Sequence, residues 1–241
     1  MTSIAKLRFF TTPVHDCSYL DGRQATTLFA DPLTQIDKDL YSKLSSVGFR
    51  RSGSHIYRPY CKGCSACIPV RVPVRLFQMK RRFRRIIKRN QDVTITKALP
   101  ELREEYFALY DRYLTCRHSD GDMFPASRDQ FESFLVEGSF DSSFIEFRTP
   151  DKLLAVAVVD ELNDGLSAVY SFFDPDEESR APGVYTILSL MQETRRLRLN
   201  YLYLGYWIKD CKKMSYKLEY KPIELYVNNK WISSEIKSDA L

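Results

Sequence analysis

The stretch from residue 143 to residue 206 most restricts the folds open to this chain. Three apolar runs follow one another there: SFIEFR (143–148), LLAVAVVDEL (153–162) and LSAVYSFF (166–173). Asn163-Asp164-Gly165 joins the last two, a turn whose residues tolerate the positive φ angles of a tight hairpin. Three antiparallel strands are therefore expected, the third ending at Asp174 and Pro175. A helix from about Val184 to Leu199 follows, with Val184, Ile187, Leu188 and Met191 at core spacing, and the strand YLYLGY (201–206) comes directly after it. The run IELYV (223–227), a turn at Asn228-Asn229 and Lys230-Trp231-Ile232 predict a final hairpin.

Two helices are expected ahead of the strands. In LREEYFALYDRYL (102–114), Leu102, Tyr106, Tyr110, Tyr113 and Leu114 share one face, which reads as core. Ser127 and Gln130 fit a capping box for the next helix, and Gly138 fits its end. Between the two lies the turn-rich loop HSDGDMFP (118–125). The order helix, helix, three strands, helix, strand and hairpin predicts an α+β domain with one crossover, similar to the acetyltransferase-like (GNAT) fold. The phosphate-binding loop of that fold would fall at Arg180-Ala181-Pro182-Gly183-Val184-Tyr185. There Tyr185 fills a position that close approach of a phosphate needs small, so no acetyl-CoA is expected.

Residues 1–77 form short segments broken by Pro, Gly and Ser, and are expected to make a smaller cysteine-containing region beside a main domain at 78–241. The run IPVRVPVRLF (68–77) alternates as a strand, and Pro73 predicts an edge or a bulge. Four of the six cysteines, Cys17, Cys61, Cys64 and Cys67, form a candidate ligand set. The C-x2-C-x2-C spacing suits an iron–sulfur cluster, four thiolates also suit zinc, and buried small hydrophobes are the third reading. Cys116 and Cys211 read as isolated core or loop residues.

Charge is concentrated in the same way. The net charge is +5, yet KRRFRRIIKR (80–89) alone carries seven positive charges and no negative one, which leaves the rest of the chain slightly acidic. Phe83, Ile86, Ile87 and Asn90 recur at helical spacing inside it, so the cations face outward. Lys80, Arg81, Arg82, Arg84, Arg85, Lys88 and Arg89 are therefore candidate phosphate contacts for a polyanion. No apolar run approaches the roughly 20 residues of a membrane helix, and the start lacks the pattern of a signal peptide. A soluble, cytoplasmic protein with no membrane partner is expected.

Short motifs spread over nearly the whole chain resemble the arginyl-tRNA–protein transferases, and most closely their bacterial branch, the aspartate/glutamate leucyltransferases. They are Cys17-Ser-Tyr-Leu20 with Gly22-Arg23, Gly48-Phe-Arg-Arg-Ser-Gly53, Tyr57-Arg-Pro59 with Cys61, Cys64 and Cys67, and His118 through Pro125. Tyr170-Ser-Phe-Phe-Asp-Pro175, Tyr203-Leu-Gly-Tyr206 and Cys211 through Lys217 complete the set. The resemblance implies transfer of an aminoacyl group, leucine in this branch, from charged tRNA to the N-terminal amine of proteins beginning with Asp or Glu. It also implies a place in the N-degron pathway of protein degradation. The same reaction with Arg-tRNA and a non-catalytic, metal-dependent RNA-binding module are the alternatives.

The reaction needs placement of two substrates more than a strong base, because the α-amine titrates near 8 and is partly neutral at cellular pH. Asp174 is the candidate for orienting the amine, and Tyr203 and Tyr206 are candidates for lining the pocket. An acidic N-terminus requires a cation, for which Lys213, Lys217, Arg58, Arg71 and Arg75 are candidates. No covalent nucleophile is evident.

Overall fold

A computed structural model describes Ile4, residues 7–138 and residues 141–234. The smaller sheet is built from β1 (Phe9–Thr11), β4 (Thr27–Ala30), β6 (His55–Pro59) and β5 (Arg50–Ser52), in that spatial order. Helix α1 (Lys38–Ser46) packs on one face of it, and a two-stranded ribbon, β2 (His15–Asp16) and β3 (Gln24–Ala25), lies outside it.

The larger sheet has eight strands. Its first, β7 (Ile68–Pro73), precedes α2 (Arg81–Arg89), β8 (Thr94–Ala98), α3 (Glu104–Arg117) and the short α4 (Arg128–Phe131), which continues as a π turn to Val136. The expected three strands are β9 (Ser142–Arg148), β10 (Leu153–Glu161) and β11 (Gly165–Phe173). Then come α5 (Pro182–Arg196), β12 (Tyr201–Trp207) and the hairpin of β13 (Glu224–Val227) and β14 (Lys230–Ser233). Their order is β14-β13-β7-β12-β11-β10-β9-β8, antiparallel except for β11 with β12. The chain is thus a mixed α+β structure around one large mixed sheet.

Alternation along β10 divides the core. Leu154, Ala155 and Ala157 join α2 and α5 on one face, while Val156 and Val158 join α3 and α4 on the other. The aromatic stripe of α3 is buried, as its spacing predicts. The smaller sheet and α1 cover the remaining part of that second face, where Tyr203 enters their cluster.

Two expectations about the N-terminal part are corrected. β7 is an interior strand, paired with β12 on one side and β13 on the other. Pro73 is its last residue, where no further ladder bond is asked of it. The expected boundary at residue 77 therefore does not follow the packing, because residues 68–73 belong to the large sheet.

β11 and β12 pair over three residues only, Gly165 with Tyr201, Leu166 with Leu202 and Ser167 with Tyr203. Gly165 permits that contact, since a Cβ there would sit 2.3 Å from the Tyr201 carbonyl oxygen. Beyond Ser167 the strands part, and the gap opens toward the smaller sheet.

Candidate active site

The gap is filled from above by one arginine. On β5, Arg50 and Arg51 alternate across the strand, so they face opposite ways. Arg50 shares a cross-strand row with Tyr57, Phe29 and Phe10 on the neighbouring strands. The row starts at the exposed ring of Phe10 and ends at the buried Arg50 guanidinium. Arg50 Nη2 donates to the Ala168 carbonyl on β11 at 2.7 Å, while Nη1 is buried without a hydrogen-bond partner. The guanidinium lies over Gly205, whose φ of +77° accompanies a register shift of β12 against β7. Other residues pay a steric cost there.

A second cation approaches from the 3-10 segment Lys212–Glu219. Lys217 is buried, and its Nζ donates to the Tyr206 carbonyl at 2.5 Å and lies 3.2 Å from Met214 Sδ. Burial, and then the charge of Arg50, push its pKa down to about 7. Among the described residues neither cation is paired with a carboxylate. The Tyr206 hydroxyl donates to the Gly48 carbonyl at 2.9 Å, and burial raises the pKa values of Tyr19, Tyr57 and Tyr206, keeping them neutral.

Three loops meet at the rim. The Ser18 hydroxyl donates to Asp122 at 3.2 Å, Lys213 bridges to Asp120 at 2.9 Å, and His118 Nε2 is 3.0 Å from the Tyr113 hydroxyl. The segments 17–23, 118–125 and 211–217, distant in sequence, thus lie side by side.

The cysteines gather next to this rim without forming a metal cage. Burial first, then the nearby Cys17, Cys61, Cys64 and Cys211, push the Cys67 thiol up to about 12. Cys211, expected to be isolated, therefore belongs with the others. Cys61 donates to the Thr26 carbonyl and Cys64 accepts from Arg23, and no three ligating side chains among the described residues converge on one point. In this arrangement of the described residues the set does not fit a cluster or a zinc ion.

The other expected site residues separate. Asp174 is buried and bound by Lys152 at 2.8 Å and Arg112 at 3.0 Å, and it accepts from the Asp176 amide. Burial opposes its ionisation, but those partners hold its pKa below the ordinary value. It follows the last residue of β11, and its carboxylate caps the 3-10 turn that comes next. Tyr203 is engaged with Arg71 and Asp164 at 3.1 and 2.9 Å. Arg71 is sandwiched between Tyr201 and Trp231 and bonded to Glu224 at 2.7 Å, a saturated structural position. Arg58 faces the other side of β6 and stacks on Phe49, Arg75 is exposed in the turn after β7, and Lys213 is taken by Asp120 at the rim. Of the expected acceptor cations, Lys217 alone enters the gap. Arg50, Tyr19 and Tyr57 are the lining residues that spacing alone did not single out.

The basic run is helix α2, with Phe83 and Ile86 buried and Lys80 at its N-cap. Several cations are used internally: Arg82 pairs with Glu219, Arg84 donates to the Met79 carbonyl, and Arg89 donates to the Ser179 carbonyl. Arg81, Arg85 and Lys88 are exposed at i, i+4 and i+7, one stripe along the helix. The first turn holds no acidic residue, so its charge opposes the helix dipole. Phe83 stacks on Tyr220, which ties this helix to the segment that carries Lys217.

Two family profiles match this sequence: arginine-tRNA-protein transferase, N terminus, over residues 15–85, and arginine-tRNA-protein transferase, C terminus, over residues 105–227. The chain belongs to the arginine-tRNA-protein transferase family. It is 56% identical over 233 residues to a protein of Pseudomonas savastanoi pv. phaseolicola named aspartate/glutamate leucyltransferase, covering 97% of this chain and 99% of that one. A protein of the same name from Hahella chejuensis is 54% identical over 233 residues, covering 97% of this chain and 100% of that one. Among solved structures, L-PGS from Bacillus licheniformis aligns with a TM-score of 0.44 and 13% identity over 84% of this chain and 69% of that one, too slight a likeness to carry an argument. Residues of several motifs named above now have a place: Arg50, Tyr57, Gly205, Tyr206 and Lys217 meet around the gap, and Ser18, Asp120, Asp122 and Lys213 meet at its rim.

Proposed function

We propose that this family member moves leucine from a charged tRNA to the N-terminal amine of proteins beginning with Asp or Glu. The observation that carries the reading is the full-length likeness, at 54–56% identity, to proteins named for that activity. The gap between β11 and β12 is where the two substrates would meet. A parallel pair that splits beside a crossover helix is also the arrangement of the acetyltransferase-like fold, which supports the same placement.

The acceptor amine attacks the ester carbonyl of the leucyl group. The new amide bond forms as the ester bond to the terminal ribose breaks, and the ribose oxygen leaves with a proton. The α-ammonium first gives one proton to solvent; Lys217, held near neutrality, takes a second from the attacking amine and passes it to the leaving ribose oxygen. The exposed stripe Arg81, Arg85 and Lys88 contacts phosphates of the donor. The row Phe10, Phe29 and Tyr57 offers ring faces to the unpaired donor end on its way to the gap. A tRNA donor supports a reaction in the cytoplasm; no helix among the described residues is long and apolar enough to cross a membrane.

Transfer of labelled leucine from Leu-tRNA to peptides starting with Asp or Glu, and not to one starting with Lys, tests the reading. Transfer from Arg-tRNA alone would overturn the donor. Binding of tRNA with no transfer to any peptide would favour a non-catalytic RNA-binding role.

A further inference from the structure

Among the described residues three arginines are buried, and two of them meet carboxylates. Arg51 forms a two-pronged bond with Asp160 at 2.8 and 2.9 Å, and Arg71 is bonded to Glu224. Arg50 meets none, and Lys217 beside it meets none either. Removing a cation from water is costly when no anion compensates it, so a buried guanidinium that meets no carboxylate points to an anion that arrives from outside.

The geometry limits that anion. Nη2 is occupied by the Ala168 carbonyl, Nε, Cζ and Nη2 lie against the small residue Gly205, and Nη1 is left as a buried donor with no partner. A carboxylate is the anion whose oxygens pair with such a guanidinium donor. The exposed stripe on α2 already offers surface cations for the donor's phosphates. We propose that Arg50 binds the side-chain carboxylate of the acceptor's N-terminal Asp or Glu through Nη1. The assignment rests on the transferase reading above and names the residue that makes it selective. An arginine stays charged at any cellular pH, which a cation selecting for acidity requires. An amide-bearing N-terminus would leave the guanidinium unpaired in the gap, and the cost of that appears as rejection.

Steady-state transfer from Leu-tRNA to matched peptides beginning with Asp, Glu, Asn or Gln decides the point in the wild type, Arg50→Gln and Arg50→Lys. Arg50→Gln is expected to raise KM for the Asp peptide roughly 10- to 100-fold and to shrink the preference for acid over amide by the same factor. KM for Leu-tRNA should stay within about twofold, and Arg50→Lys should restore part of the preference. An unchanged preference in an Arg50→Gln protein that melts like the wild type overturns the proposal. A rise confined to the KM of Leu-tRNA also overturns it, since the anion is then a donor phosphate. Calorimetry with the Asp peptide and no tRNA reads the same contact independently of turnover. Weaker binding by Arg50→Gln is expected, and equal binding by both proteins overturns the assignment. Absence of transfer by the wild type, with the calorimetric difference intact, would instead count against the transferase reading alone.

Discussion

Arg50 and Arg51 are consecutive on one strand and face opposite electrostatic settings. Arg51 is enclosed with Asp160, whose carboxylate also accepts from Tyr41 at 2.8 Å and Ser142 at 2.5 Å. Arg50 is enclosed with carbonyl groups and tyrosines. Removing one member of the first pair strands a buried charge. Asp160→Ala is therefore expected to lower unfolding free energy by about 3–5 kcal/mol in denaturant titrations. Arg50→Gln removes a charge that has no partner and should leave the protein at least as stable as the wild type. A matching loss in both variants would mean that Arg50 is as structural as its neighbour.

The stripe on α2 makes a claim about salt. Arg81, Arg85 and Lys88 have no internal partner among the described contacts, whereas Arg82 and Arg89 do. Each phosphate contact contributes roughly 0.7–0.9 to the slope of log affinity against log salt. Replacing the three by Ser should reduce the slope for tRNA by about 2–3. Thermal stability should hold, because a positive first turn opposes the helix dipole. An unchanged slope would place the phosphates elsewhere.

Thiol reactivity follows from burial. Cys67 is pushed up to about 12, and Cys116 is exposed. The thiolate is the reactive form, so iodoacetamide at neutral pH should label Cys116 first and Cys67 last. Peptide mass spectrometry at timed intervals reads the order directly, and early labelling of Cys67 would contradict the packing.

Much of the large sheet was legible in the sequence, because Asn163-Asp164-Gly165 and Asn228-Asn229 are turn signals that need no tertiary information; Asn228 and Asn229 do adopt φ of 51° and 59°. β7 was misplaced because Pro73 argues locally against an interior strand, while its neighbours β12 and β13 come from more than 120 residues later. The site was harder still. Arg50 differs from Arg51 only by the face it takes, and nothing in a run of two arginines says which one finds an acid. Asp174 stands out in the sequence because it ends a strand. Its partners Arg112 and Lys152 lie far from it in sequence, so the ion pairs that hold its carboxylate appear only in the fold.

The pH dependence of transfer tests Lys217. Its pKa falls from 10.5 to about 7 on folding, through burial and then the charge of Arg50, with Cys211 working the other way. A lysine with a depressed folded pKa binds fewer protons folded than unfolded between those two values. Stability should therefore rise with pH from about 7 to 10.5 and be independent of this group below 7. Lys217→Met should accordingly be more stable than the wild type at neutral pH and inactive in transfer. The rate at saturating acceptor should rise through an inflection near 7 as Lys217 becomes a proton acceptor. Arg50→Gln removes one of the two causes of the shift, so the Lys217 pKa rises and the inflection moves upward in that variant. The acceptor amine also titrates, near 8, and its contribution is the same in both proteins. Single-turnover rates from pH 6 to pH 9, in the wild type and Arg50→Gln, separate the two groups. An inflection that stays in place when Arg50 is neutralised would remove Lys217 from the proton path.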